Sequence, residues 1–141
     1  MTVCRTVEGW PINEQQRDGG QMKYTRLYAD SDGETHFQAV EVELAEGKVV
    51  SGGAPAQLST PQPTTDSFFS NYYSVFFNDF HPTPRKQWFV LLSGMWEFGA
   101  SDGEVLRLGP GVVVLLDDMD SKGHTGWVIE PSTVMFVGLE D

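Results

Sequence analysis

Three histidines, His36, His81 and His124, are the entire imidazole complement of this chain of 141 residues. His81 opens the stretch HPTPRKQWFVLLSG (81–94). Pro82 and Pro84 hold its start extended rather than helical, and Gln87 is the one polar side chain entering the apolar strand that follows. His124 closes LLDDMDSKGH (115–124), after Asp117, Asp118 and Asp120. Imidazoles suit two kinds of chemistry, ligation of a divalent metal and proton transfer near neutral pH. A carboxylate beside an inward histidine fixes its tautomer and makes it a general base. The same three aspartates also fit a solvated turn whose carboxylates cap backbone amides. With Gln87, the histidines offer three nitrogens and a neutral oxygen to Zn, Fe, Mn or Ni. That is a weaker set than one containing a carboxylate.

The elements that would hold these residues are strands. From Tyr24 onward the chain breaks into about eight short β-branched and aromatic runs separated by turns, the pattern of an all-β sandwich or barrel. Two SDGE segments (31–34 and 101–104) sit between such runs as hairpin turns. Residues 52–65 form a Pro/Gly/Ser/Thr loop, and the polar stretch 10–23 suits a short helix or an arm. One domain over 24–141, preceded by an N-terminal arm (1–23), accounts for the length. Alternation in THFQAVEVEL places His36 and Gln38 on the face of Val40, Val42 and Leu44, predicted to be inward. The same rule aligns Gln87 with Phe89 and Leu91.

Aromatics crowd into SFFSNYYSVFFNDF (67–80), just before His81, and Trp88, Phe89, Trp96, Phe98 and Trp127 follow. Such density serves core packing or a covered edge strand. It also suits a pocket for a flat, mostly apolar ligand rather than a free sugar. Arg85 or Lys86 is placed to meet a carboxylate or phenolate; both equally fit surface ion pairs in an acidic chain.

Nine Lys+Arg against twenty Asp+Glu give a net charge of −11. No basic stripe exists to neutralise phosphates, which argues against nucleic acid and anionic membrane surfaces. No apolar run approaches the ~20 residues of a membrane span, and no secretory leader is legible. Cys4, the one cysteine, has no intramolecular partner, and a reducing cytoplasm is the default expectation.

Taken together, these stretches resemble the cupin superfamily, small single-domain jelly-roll barrels. Its first motif has two histidines one residue apart, then a glutamate, then a glycine seven residues later. His81 fits the first histidine, and Gln87 and Gly94 have the last spacing. Thr83 stands where the second histidine belongs, and Gln87 where the glutamate does. HPTPRKQ matches a subgroup carrying His-x-x-Pro-Arg-x-Gln. The second motif starts on a glycine turn, as in Gly109–Gly111, and ends on a histidine, here His124, two residues later than the standard spacing. The resemblance covers roughly residues 75–137, with an extension back to Tyr24.

The resemblance implies a double-stranded β-helix and a small-molecule substrate bound in the barrel, with homodimerisation through the sheets. The expected function is acid–base chemistry of the lyase, isomerase or cyclase type on an aromatic or carbonyl compound. His124 and His81 would be base and acid, Asp118 an orienter and Gln87 a polarising donor. His36, Gln38, Arg85, Tyr73, Phe77, Phe89 and Trp96 would contact the substrate. A divalent metal on His81, Gln87, His124 and His36 would replace or assist the acid. The alternatives are an iron-dependent oxygenase and a non-catalytic barrel that binds a small molecule.

Overall fold

The computed structural model describes residues 4–6 and 22–140. The described chain is all-β, and no helix in it is long and apolar enough to cross a membrane. In chain order the strands are β1 (Cys4–Thr6), β2 (Met22–Ala29), β3 (Thr35–Val42), β4 (Ala45–Gly47), β5 (Ala56–Leu58) and β6 (Thr64–Tyr72). They continue with β7 (Phe76–His81), β8 (Gln87–Ala100), β9 (Val105–Leu108), β10 (Val113–Asp117) and β11 (His124–Leu139). The helix or arm expected over 10–23 lies outside the described residues, except that Met22 and Lys23 belong to β2. The strand count exceeds the roughly eight expected because the aromatic stretch splits into β6 and β7, short β1 and β4 are added, and the loop 52–65 contains β5. In the other direction, two pairs of expected strands are continuous, as β8 and β11.

β8 and β11 organise a mixed sheet of nine strands. The first part of β8 lies between β10 and the second part of β11, with β2, β3 and β6 extending this half outward. The second part of β8 lies between β9 and the first part of β11, with β1 and β7 at the margins. Both long strands bend between the halves, at Gly94 in β8 and around Pro131–Ser132 in β11. Gly94 has φ 93°, and a Cβ there would lie on the Pro131 carbonyl and the Ser132 side chain. Only glycine gives both that backbone and that approach.

The two halves face each other across one core. Leu27, Phe89, Leu91, Val114 and Val134 come from the first half, and Trp96, Phe98, Leu106, Leu108 and Val128 from the second. Phe89 contacts Trp96, Phe98 and Phe136 edge-on, with centroids 4.9–5.7 Å apart, a favoured aromatic geometry. Both SDGE segments are hairpin turns with a left-handed glycine, Gly33 and Gly103. They also join each other: Thr35 N donates to Ser101 Oγ (2.8 Å) and Ser101 N to Thr35 Oγ1 (2.7 Å).

Candidate active site

A cavity of about 220 Å³ opens between the halves, walled by Tyr72, Phe89, Trp96, Phe98, Leu116 and Phe136 and edged by Asn78, His81, Thr83, Gln87 and His124. A hollow of about 470 Å³ on the outer face of the first half, bordered by Tyr24, Trp88 and the 59–63 loop, is larger but contains no histidine. Proton chemistry therefore points to the inner cavity.

Strand register brings the two histidines together. His81 ends β7, His124 begins β11, and the two are cross-strand partners with ring centroids 4.6 Å apart. Gly123, with φ 82°, lets β11 approach this closely, because a Cβ there would lie on the His81 carbonyl and 2.6 Å from Pro82 N. His124 is 3% exposed and Asp118 is fully buried. His124 Nδ1 meets Asp118 Oδ2 at 2.6 Å. A carboxylate accepts, so Nδ1–H donates and the lone pair sits on Nε2, which has no partner among the described residues. His81 lies at the rim, with Nδ1 donating to the Asp79 carbonyl at 2.7 Å. Its Nε2 is also left without a partner among the described residues.

Asp118 is held by a chain of hydrogen bonds that runs through the first half. Its Oδ1 accepts from Thr83 N (3.3 Å), Thr83 Oγ1 donates to the Arg85 carbonyl (2.7 Å), and Gln87 Nε2 donates to Thr83 Oγ1 (3.3 Å). Gln87 Oε1 in turn accepts from Arg85 Nε (3.2 Å). Thr83 is thus the link between Gln87 and the Asp118–His124 pair. Arg85 does not enter the cavity: it pairs with Asp66 at 2.6 Å and lies over Phe68. The hydrogen bond to Arg85 holds the Asp66 carboxyl below its usual value.

The structure brings together His81, His124, Asp118, Gln87, Phe89 and Trp96. It separates His36, Gln38, Tyr73 and Phe77 from them. In β3 the buried residues are Thr35 and Phe37, so His36 and Gln38 face outward, contrary to the predicted side. Alternation located the two faces, but both carry apolar residues, and the core took the aromatic rather than the aliphatics. Gln38 accepts from Arg26 at 3.3 Å. Tyr73 and Phe77 are exposed and turned away from the cavity.

His36 is instead clamped between Asp30 (Nε2–Oδ2, 2.8 Å) and Asp102 (Nδ1–Oδ2, 2.8 Å), one carboxylate from each SDGE hairpin. The Asp30 bond first, then the Asp102 bond, raises the His36 pKa above its ordinary 6.5, and the Asp30 carboxyl is lowered mainly by the same bond. Because the folded His36 pKa is raised, its contribution is complete below about pH 6.5 and fades as pH rises through the folded value. His36→Gln should therefore destabilise the protein at about pH 6 and much less at about pH 9, as read by urea unfolding. An equal loss at both pH values would show that the clamp carries no charge.

The metal set expected from the sequence does not assemble. His36 lies in the outer clamp, the Gln87 oxygen already accepts from Arg85, and the Asp118 oxygens already accept from His124 and Thr83. Two imidazoles remain, and no group of three or more His, Cys, Asp or Glu suited to a metal occurs among the described residues.

Tyr72, Asn78, Phe98, Gly126 and Phe136 line the cavity without having been marked as site residues. Along β8 the inward positions are Gln87, Phe89 and Leu91 before the bend, and Trp96, Phe98 and Ala100 after it. The irregularity at Gly94 switches the parity, so simple alternation from Gln87 misses Phe98. Asn78 enters through cross-strand pairing with Gly126, which only the register specifies. No family model matches the chain, and no curated protein is significantly similar to it.

Proposed function

We propose that this chain is a small cupin-type enzyme that moves a proton on a planar carbonyl or aromatic compound. The observation that carries the reading is the buried Asp118–His124 pair, whose free Nε2 borders an aromatic-walled cavity. A histidine whose far nitrogen is fixed by a buried carboxylate has the tautomer of a general base. His81, its ring 4.6 Å away at the rim, is the acid or relay. Gln87 and Thr83 position Asp118, and the second N–H of Gln87 remains for a ligand oxygen. The cavity of about 220 Å³ falls below the roughly 300–1,000 Å³ of drug-sized sites, which favours a ligand of about one ring. Lyase, isomerase or cyclase chemistry through an enolate meets these conditions.

Deuterium exchange tests this. In D2O, the protein should exchange the acidic carbon-bound proton of a member of a panel of single-ring aryl ketones and cyclic β-diketones. His124→Gln should slow the exchange by about 10²–10⁴-fold. Equal rates in wild type and variant would remove His124 as the base. Tight binding with no exchange by any compound would support a binding barrel instead.

The same reading extends to assembly as a homodimer. Among the described residues, β6 and β7 pair only with β11, and Phe68, Phe69, Tyr73, Val75, Phe76, Phe77 and Phe80 are all exposed along them. So many large exposed apolar side chains on one stretch are unusual for a monomer, and the segment 67–80 has a single charged residue, Asp79, in a chain of net charge −11. Light scattering should give twice the monomer mass, and Phe69→Glu with Phe77→Glu should return it to the monomer. A wild-type monomer at micromolar concentration would refute the dimer.

A further inference from the structure

One group in the cavity wall has no use in proton transfer by His124. Trp96 is 4% exposed, and its Nε1–H is a buried donor without an acceptor among the described residues. Buried donors are nearly always satisfied, because an unmade hydrogen bond is costly. The indole nitrogen lies next to Gly126: a Cβ there would stand 3.5 Å from Trp96 Nε1, 3.7 Å from Trp96 Cζ2 and 3.9 Å from Asn78 Nδ2. The Gly126 backbone is not left-handed, so its φ does not require glycine. What the missing side chain provides is room for an atom of Cβ size, at ordinary contact distance, beside two N–H groups. Asn78 Nδ2 spends one of its hydrogens on the Gly126 carbonyl at 3.3 Å and has a second to offer.

The register sets this gap beside the base. Along β11, His124 and Gly126 are two residues apart and both buried, and Gly126 lies opposite Phe98 on one side and Asn78 on the other. Alternate residues of a strand share a face and stand roughly 6–7 Å apart. A ligand over Gly126 is thus reached by His124 from one end and by the Trp96 indole from the other.

We infer that Trp96 Nε1–H is the anchor for a ligand oxygen, and that the ligand is a one-ring conjugated ketone or phenol with that oxygen over Gly126. This deepens the proton-transfer reading and rests on it only for the part played by His124. With the ketone, the C–H bond next to the conjugated carbonyl breaks, its proton passes to His124 Nε2, and the electron pair moves through the conjugated system to the carbonyl oxygen; a phenol binds as a mimic of that enolate and does not react. The indole N–H meets the charge that develops there, as oxyanion donors do. Return of the proton to another carbon completes an isomerisation with no co-reactant.

The test is a binding measurement, made on the full chain with acetophenone, para-nitrophenolate and ethylbenzene, the last similar in shape to acetophenone but lacking its oxygen. Indole N–H resonances are followed by NMR, with Trp96 assigned through Trp96→Phe. Acetophenone or para-nitrophenolate should shift the Trp96 N–H downfield, and ethylbenzene should not. Trp96→Phe should weaken the oxygen-bearing probe about tenfold and leave ethylbenzene unchanged. Gly126→Ala, whose methyl has only ordinary contacts in the folded chain, should abolish binding while leaving the unfolding midpoint near that of wild type.

An unmoved Trp96 N–H with both oxygen-bearing probes at millimolar concentration overturns the anchor, as does equal weakening of acetophenone and ethylbenzene by Trp96→Phe. A shifted indole together with exchange that is insensitive to His124→Gln leaves the anchor standing and removes the base. Exchange that depends on His124 with an unmoved indole does the reverse.

Discussion

Asp118→Asn should give a folded protein that has lost nearly all proton exchange, by about ten-thousandfold if the effect is that of a wrong tautomer. The carboxylate accepts from two donors, Thr83 N and His124 Nδ1. A carboxamide has one oxygen. The backbone N–H of Thr83 cannot turn away, so the amide oxygen stays on it and the amide nitrogen faces His124. That nitrogen donates, which forces the lone pair of the imidazole onto Nδ1 and the proton onto Nε2, where a base is needed. The fold loses only a hydrogen bond to a charged group, about 1–3 kcal/mol. Asp118→Ala removes the acceptor outright, leaving the Thr83 N–H and the His124 Nδ1–H unpaired, and should cost about 2–6 kcal/mol, about 1–3 for each donor. Exchange rates and urea midpoints on both variants separate the two effects. Asp118→Asn exchanging within about tenfold of wild type would mean that His124 does not depend on this carboxylate.

Gly94→Ala should be among the most damaging single-methyl changes in the fold. At φ 93° the alanine is strained by about 1–2 kcal/mol. Its methyl would also lie on the Pro131 carbonyl and 2.7 Å from Ser132 Cα, an overlap of backbone against backbone that adds about 1–3 kcal/mol. The total of about 2–5 kcal/mol is a large share of the ~5–15 kcal/mol that holds a domain together. Gly103→Ala is the control, because Gly103 has nearly the same φ, 95°, and nothing within 4 Å of its Cβ position. It should lose the strain alone. Equal losses in the two variants, read from thermal or urea unfolding, would show that β8 and β11 do not need their close approach.

The sequence made the strands legible wherever one face was clearly apolar. Gln87, Phe89 and Leu91 do share the inner face, and both Asp-Gly segments do turn hairpins. His36 was assigned to the wrong side because β3 has apolar residues at both parities, and alternation alone cannot say which row meets the core. Arg85 was expected at the cavity mouth. It stands instead behind Gln87, where Gly138 leaves room for the guanidinium, a Cβ there falling 2.6 Å from Nη1. His81 with His124, and His124 with Asp118, were legible as neighbours from motif spacing and short sequence distance. Trp96 was marked only as an aromatic contact. Its unpaired N–H, the gap at Gly126 and the pairing with Asn78 depend on cross-strand register, which a single sequence does not display.

The pairing of β11 has a consequence for how the chain is made. β6 and β7 precede it by dozens of residues, and among the described strands neither has another partner. At synthesis rates of about 5–20 residues per second, the aromatic stretch 67–80 waits for seconds without its strand partner, until β11 follows. The cavity cannot exist in that interval, since His124 and Gly126 arrive with β11 itself. Until β11 is made, the chain has exposed aromatics and no site. Its yield in the cell should depend on holdase chaperones that shield aromatic segments during that wait.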